Sequence, residues 1–129
     1  MGYTRYWKRT EKPIDADLII AVCDIIKDCD DKGILIRNGW GAGNPIVTLD
    51  YISINGNADT ELDHESFVIS DDKEDIGHGF CKTARKPYDY AVRKILKYAE
   101  EFGYVKDVSA DEELEEIISD EDYLKKWGR

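Results

Sequence analysis

The chain has 129 residues, 42% of them apolar and 36% charged, with a formal net charge of −10 at pH 7. That length suits one domain with one buried core, and the apolar share excludes general disorder. The acidic balance excludes broad attraction to nucleic-acid backbone, and no apolar run is long enough to span a bilayer.

The chain reads as a single domain over residues 1–129, with 111–129 as an acidic C-terminal segment. Residues 3–9 alternate rings with polar groups, and Tyr6 beside Trp7 predicts an opening strand. On such a strand Tyr3, Arg5 and Trp7 share one face, and Thr4, Tyr6 and Lys8 share the other. A ring and a cation on the free face form the pairing that holds a nucleobase and a phosphate. After Pro13, the apolar residues Leu18, Val22, Ile25, Ile26 and Cys29 recur at helical spacing. Asp15 and Asp17 lie in the first turn and Gly33 supplies the stop. Cys23 and Cys29 then lie on different faces of one helix. With Cys81 they make three cysteines, an odd set that suits neither zinc nor a disulfide framework, so a reducing cytoplasm is the expected setting.

Residues 34–36 predict a short strand, and 38–45 a glycine-rich loop that carries Trp40. This loop lacks the Lys-Ser/Thr of a phosphate loop and leads into a strand, so Trp40 is a candidate for stacking on a base or a partner. One strand is expected over 46–54, closed by the turn residues Asn55, Gly56 and Asn57, and another over 65–70 with Phe67 and Ile69 on one side. Residues 71–79 read as a loop. His64, between Asp63 and Glu65, cannot chelate one metal with both neighbours, because adjacent strand residues face opposite ways. It remains a candidate ligand contact, or half of an acid–base pair with a distant carboxylate.

From Cys81 to Lys97 there are six bases and one acid, a basic island on an acidic protein. Lys82, Thr83, Arg85 and Lys86 precede a helix that opens at Pro87, shows the stripe Tyr88, Ala91, Val92, Ile95, Leu96, Ala99 and Phe102, and stops at Gly103. Bases at a helix N-terminus sit against a positive dipole, so they predict an anion there. A cysteine phosphatase needs arginine six residues after its cysteine; Pro87 stands there and Arg85 comes fourth, so Cys81 reads as a small buried residue. A strand over 104–108 and a short acidic helix around Leu114, Ile117 and Ile118 complete the chain, with Trp127 packing back. The expected fold is α+β: a small, mostly antiparallel sheet, two long amphipathic helices packed on one face, and a short acidic C-terminal helix.

The sequence resembles an uncharacterised family of small proteins found in bacterial and phage genomes. Members open with Gly-Tyr-Thr-His-Tyr-Trp and later carry Phe-Cys-Lys-Thr-Ala-Arg-Lys-Pro-Tyr-Asp. Here the opening is Gly2-Tyr3-Thr4-Arg5-Tyr6-Trp7, and the second motif is unbroken from Phe80 to Asp89. Asn55-Gly56 and His64-Glu65-Ser66-Phe67 resemble the intervening motifs, so the likeness runs over about residues 2–105. Arg5 replaces the family's histidine, which argues against a catalytic or metal role there. The resemblance implies a shared site and a phage connection, and no particular reaction.

The leading expectation is non-enzymatic binding of a small phosphate-bearing ligand, a nucleotide or nucleotide-derived signal, with no cofactor and no metal. Its candidate contacts are Tyr6, Trp7, Lys8, Trp40, Asn55, His64, Lys82, Thr83, Arg85 and Lys86. A phage protein of this kind would sequester a host immune signal. The alternatives are an acidic inhibitor that mimics nucleic acid and docks on a host protein through the C-terminal segment, and a nucleotide hydrolase using His64. Self-association is left open.

Overall fold

In the computed structural model, residues 3–72, 79–111 and 119–127 are described. Their elements run β1 (Thr4–Arg9), α1 (Ala16–Asp31), β2 (Ile46–Val47), β3 (Tyr51–Ile54), β4 (Phe67–Ser70), β5 (Gly79–Lys82), α2 (Asp89–Glu101), β6 (Val105–Ala110) and α3 (Asp120–Trp127). The fold is α+β with a short C-terminal helix. The strands form two small antiparallel sheets, ordered β5-β1-β6 and β2-β3-β4. No helix among the described residues is long and apolar enough to cross a membrane.

Both long helices follow from their patterning. Asp15 caps α1 by accepting from the Leu18 amide at 3.1 Å, and Gly33 leaves the helix at φ +80°, a conformation glycine adopts without steric cost. Leu18, Val22 and Cys29 are buried while Cys23 is exposed. On α2 the buried face is Ala91, Val92, Ile95, Leu96 and Ala99, continued backwards by Tyr88. Val92, Ile95 and Leu96 each contribute about 1.5–3 kcal/mol by leaving water. Phe102, expected in that stripe, is instead 48% exposed and lies against Tyr98, because α2 has already ended at Glu101.

Several strands depart from expectation. Residues 34–36 form no strand of a sheet; Ile34 and Ile36 are buried, and pairing comes only at the Arg37–Asn55 bridge. The single strand expected over 46–54 is a hairpin. Thr48 Oγ1 contacts Asp50 Oδ1 at 2.8 Å and accepts from the Tyr51 amide at 3.1 Å, so residues 48–50 turn the chain. Gly79–Lys82 is a strand, β5, which pairs with β1. The helix expected around Leu114, Ile117 and Ile118, and the packing of Trp127, lie outside what the structure describes; the described helix is Asp120–Trp127.

The two sheets are tied together at both ends of β4. The Glu65 amide donates to Lys82 O at 3.2 Å, and Arg9 Nε donates to Ser70 O at 3.3 Å. A cleft of about 330 Å³ lies at this junction, lined by Trp7, Arg9, Ser66, Val68, Ser70, Gly79 and Phe80.

Candidate functional site

Two arrangements grow out of β1 and the segment from Cys81 to Asp89, one facing inward and one outward. The inward one begins with alternation: Cys81 and Thr83 point into the protein and are fully buried, while Phe80 and Lys82 point away. Beyond Thr83 the backbone turns through Ala84 and Arg85 at φ +52° and +54°. For residues with a Cβ this costs about 1–2 kcal/mol each, so the surroundings must hold it. The Thr83 and Ala84 amides both donate to Tyr3 O, at 2.9 and 3.3 Å, and the Lys86 amide donates to Thr83 O at 3.0 Å. The Arg85 guanidinium lies 3.8 Å from the centroid of the Tyr3 ring.

This turn delivers Asp89 to the first turn of α2 with its side chain fully buried. Arg5 grips the carboxylate with two bonds, Nε to Oδ1 at 2.7 Å and Nη2 to Oδ2 at 2.9 Å. Thr83 Oγ1 donates to Oδ1 at 2.7 Å, and the Tyr123 hydroxyl donates to Oδ2. Burial alone would raise the Asp89 pKa; the Arg5 bonds, followed by those of Thr83 and Tyr123, outweigh it and hold the group below the usual carboxylate value. The start of α2 therefore already carries a buried carboxylate of the chain itself, held by Arg5, Thr83 and Tyr123. The Asp89 and Tyr90 amides are also engaged, by Lys86 O and Pro87 O.

α3 closes this region. Besides Tyr123 it brings Asp120 to Arg93, Nη1 to Oδ1 at 2.5 Å, and to Lys94 at 3.0 Å. Arg93 is fully buried, with its guanidinium 4.9 Å from the Tyr123 ring centroid.

The outward arrangement is the far face of the β5-β1-β6 sheet. Tyr6 on β1 stands directly opposite Phe80 on β5; they are 42% and 57% exposed, and neither ring belongs to the core. One step along, Lys82 is opposite Thr4; the other way, Lys8 is opposite Lys106 of β6. Three acids adjoin the face, the first being Glu65, whose carboxylate accepts from the Lys82 amide at 3.1 Å. Asp111 accepts from the Tyr6 hydroxyl at 3.1 Å, and Asp107 lies 3.6 Å from Lys8. The structure thus gathers Tyr6, Lys8 and Lys82 onto one surface and adds Phe80 and Lys106, which sequence reading passed over. The strand alternation of residues 79–82 would have revealed Phe80 beside Lys82.

The remaining candidates are placed elsewhere or engaged within the protein. Trp7 is buried and packs on Phe67 with ring centroids 5.0 Å apart, its edge reaching the cleft. Trp40 is 82% exposed but lies in the loop that leads into β2, beside a hollow of about 270 Å³ lined by Gly39, Ile46, Tyr51, Ser53 and Ser66. Asn55 is buried and works as a latch: Nδ2 donates to Gly39 O and His64 O, both at 3.1 Å, and Oδ1 accepts from the Gly56 and His64 amides at 2.7 and 3.0 Å. His64 is exposed and joined to Asn55 only through its main chain among the bonds described. Lys86 Nζ donates to Glu61 O at 3.0 Å.

Burial pushes the Cys81 thiol up to about 12, so it stays protonated at neutral pH and is no nucleophile. Among the described residues there is no group of three or more His, Cys, Asp or Glu placed to hold a metal ion. The chain matches no protein-family model, no curated protein and no solved structure.

Proposed function

We propose that the protein binds a small phosphate-bearing ligand, a nucleotide or nucleotide-derived signal, without chemistry on it, and that it does so on the outer face of the β5-β1-β6 sheet. One observation carries this reading: Tyr6 and Phe80 stand exposed and side by side, with Lys82 beyond one end and Lys8 and Lys106 beyond the other. Exposed rings on neighbouring strands offer flat apolar surface for a base, and lysines at their margins meet phosphate as mobile point charges. Asp89 already occupies the start of α2, where Arg5 holds it, so this reading gives the phosphate to Lys82, Lys8 and Lys106 on the outer face. The motif resemblance supports a phage setting, where sequestering a nucleotide signal of the host is the use this surface would serve. The mimicry alternative is weakened at Asp120, whose carboxylate turns onto Arg93 and Lys94 rather than outward.

Isothermal titration calorimetry against uridine monophosphate, adenosine monophosphate and a cyclic dinucleotide tests the reading. Binding of at least one is expected, weakened about tenfold or more by Tyr6→Ala and by Lys82→Ala. No heat with any probe, or an affinity that neither substitution changes, overturns it.

A further inference from the structure

The groups on the outer sheet face are ordered along the strands. Tyr6 and Phe80 pair across β1 and β5, so their backbones are about 4.8 Å apart and their side chains rise together from the same face. Lys82 stands two residues past Phe80, and Lys8 two residues past Tyr6 in the opposite direction across the sheet. Two residues of strand advance about 6.7 Å, so the lysine rows lie about 13 Å apart with the rings between them. A mononucleotide stacked on either ring brings phosphate to one row and leaves the other unused.

The second row also has its own reason to attract an anion. Lys8 and Lys106 are directly opposite, and like charges so placed repel. Asp107 relieves Lys8 at 3.6 Å, through a pair exposed enough for solvent to weaken it. A phosphate between the two lysines would satisfy both. Asp111, tied to the Tyr6 hydroxyl, keeps phosphate away from the β6 side of the first row. The favourable path is therefore diagonal, from Lys82 across the two rings to Lys8 and Lys106.

Resting on the reading above, we infer that the ligand is a short single-stranded oligonucleotide. Two neighbouring bases lie on Tyr6 and Phe80, and its phosphates reach both lysine rows. A duplex cannot bind this way, because its base faces are covered by one another. Base identity matters little, since every base offers a flat face to an aromatic ring.

The experiment compares 5′-phosphorylated oligouridylates of one, two and four nucleotides with a blunt duplex, by calorimetry at low salt. Affinity is expected to rise about tenfold or more from one nucleotide to two. The double variant Lys8→Ala/Lys106→Ala should remove that gain, so that the dinucleotide binds no better than the monophosphate, and Phe80→Ala should remove it without touching the lysines. Equal affinity for the monophosphate and the dinucleotide, or preference for the duplex, overturns the inference while leaving a phosphate-ligand site in place. No binding by any of these probes or by a cyclic dinucleotide overturns both.

Discussion

β1 carries a ring and cations on each of its faces, and the two sets are used in opposite ways. Inward, Trp7 packs on Phe67, Arg5 takes both oxygens of Asp89, and Arg9 reaches Ser70 O, Asp71 Oδ1 at 2.8 Å and Tyr104 O at 2.6 Å. Outward, Tyr6 and Lys8 are exposed, and among the described residues Lys8 pairs loosely with Asp107. The cation chosen on each side matches its task. A guanidinium is a rigid fork that can satisfy several acceptors at once when buried, whereas an ammonium is a hydrated charge on a flexible stem. The inner face therefore holds the fold, while on the outer face, among the described residues, Tyr6 and Phe80 stay exposed.

If that division is right, inner substitutions should cost stability and outer ones should not. The largest effect is expected at Asp89→Ala, which leaves Arg5 buried without its carboxylate and should cost about 3–5 kcal/mol in urea unfolding. The same carboxylate gives a pH test. Because its folded pKa lies below the unfolded value of about 3.9, its contribution is complete above that value and fades as the pH falls through the folded pKa. Asp89→Asn should accordingly flatten the acid side of the stability profile, while the profile of a Lys8→Ala control keeps its slope. Next comes Gly79→Ala: an added Cβ would come within 2.4 Å of the Trp7 ring, and the overpacking should cost about 1–3 kcal/mol in melting experiments. The smallest changes are expected at Tyr6→Ala and Phe80→Ala, each within about 0.5 kcal/mol of the parent. A loss at Tyr6 as large as that at Asp89 would break the division between the faces.

The helices were legible because their cores announce themselves locally: Leu18, Val22 and Cys29 in α1, and Ala91, Val92, Ile95, Leu96 and Ala99 in α2, repeat within a few turns. β5 was not, since four residues give little alternation and a basic run follows them at once. The hairpin at residues 48–50 was hidden by an alternating pattern that continued through it, while the turn depended on the Thr48 hydroxyl. The site was legible in part. Tyr6, Lys8 and Lys82 were picked out as types, yet their convergence required the β1–β5 register, a pairing of residues far apart in the chain. The inward network was the hardest to see. Composition sends arginines to the surface, and nothing near Arg5 in sequence names a partner 84 residues away.

Asp89 collects donors from three separate stretches: Arg5 on β1, Thr83 just before α2, and Tyr123 on α3. During synthesis those stretches leave the ribosome in that order. A nascent chain that has just released α2 can already join Arg5 and Thr83 to the carboxylate, but it lacks Tyr123, and Arg93 lacks Asp120. Asp89 Oδ2 then has Arg5 but not yet Tyr123, and that side stays open to water until the last described helix emerges. The contact that finishes enclosing Asp89 thus follows α2 in synthesis, and a chain stalled short of residue 120 should remain open to protease at α2.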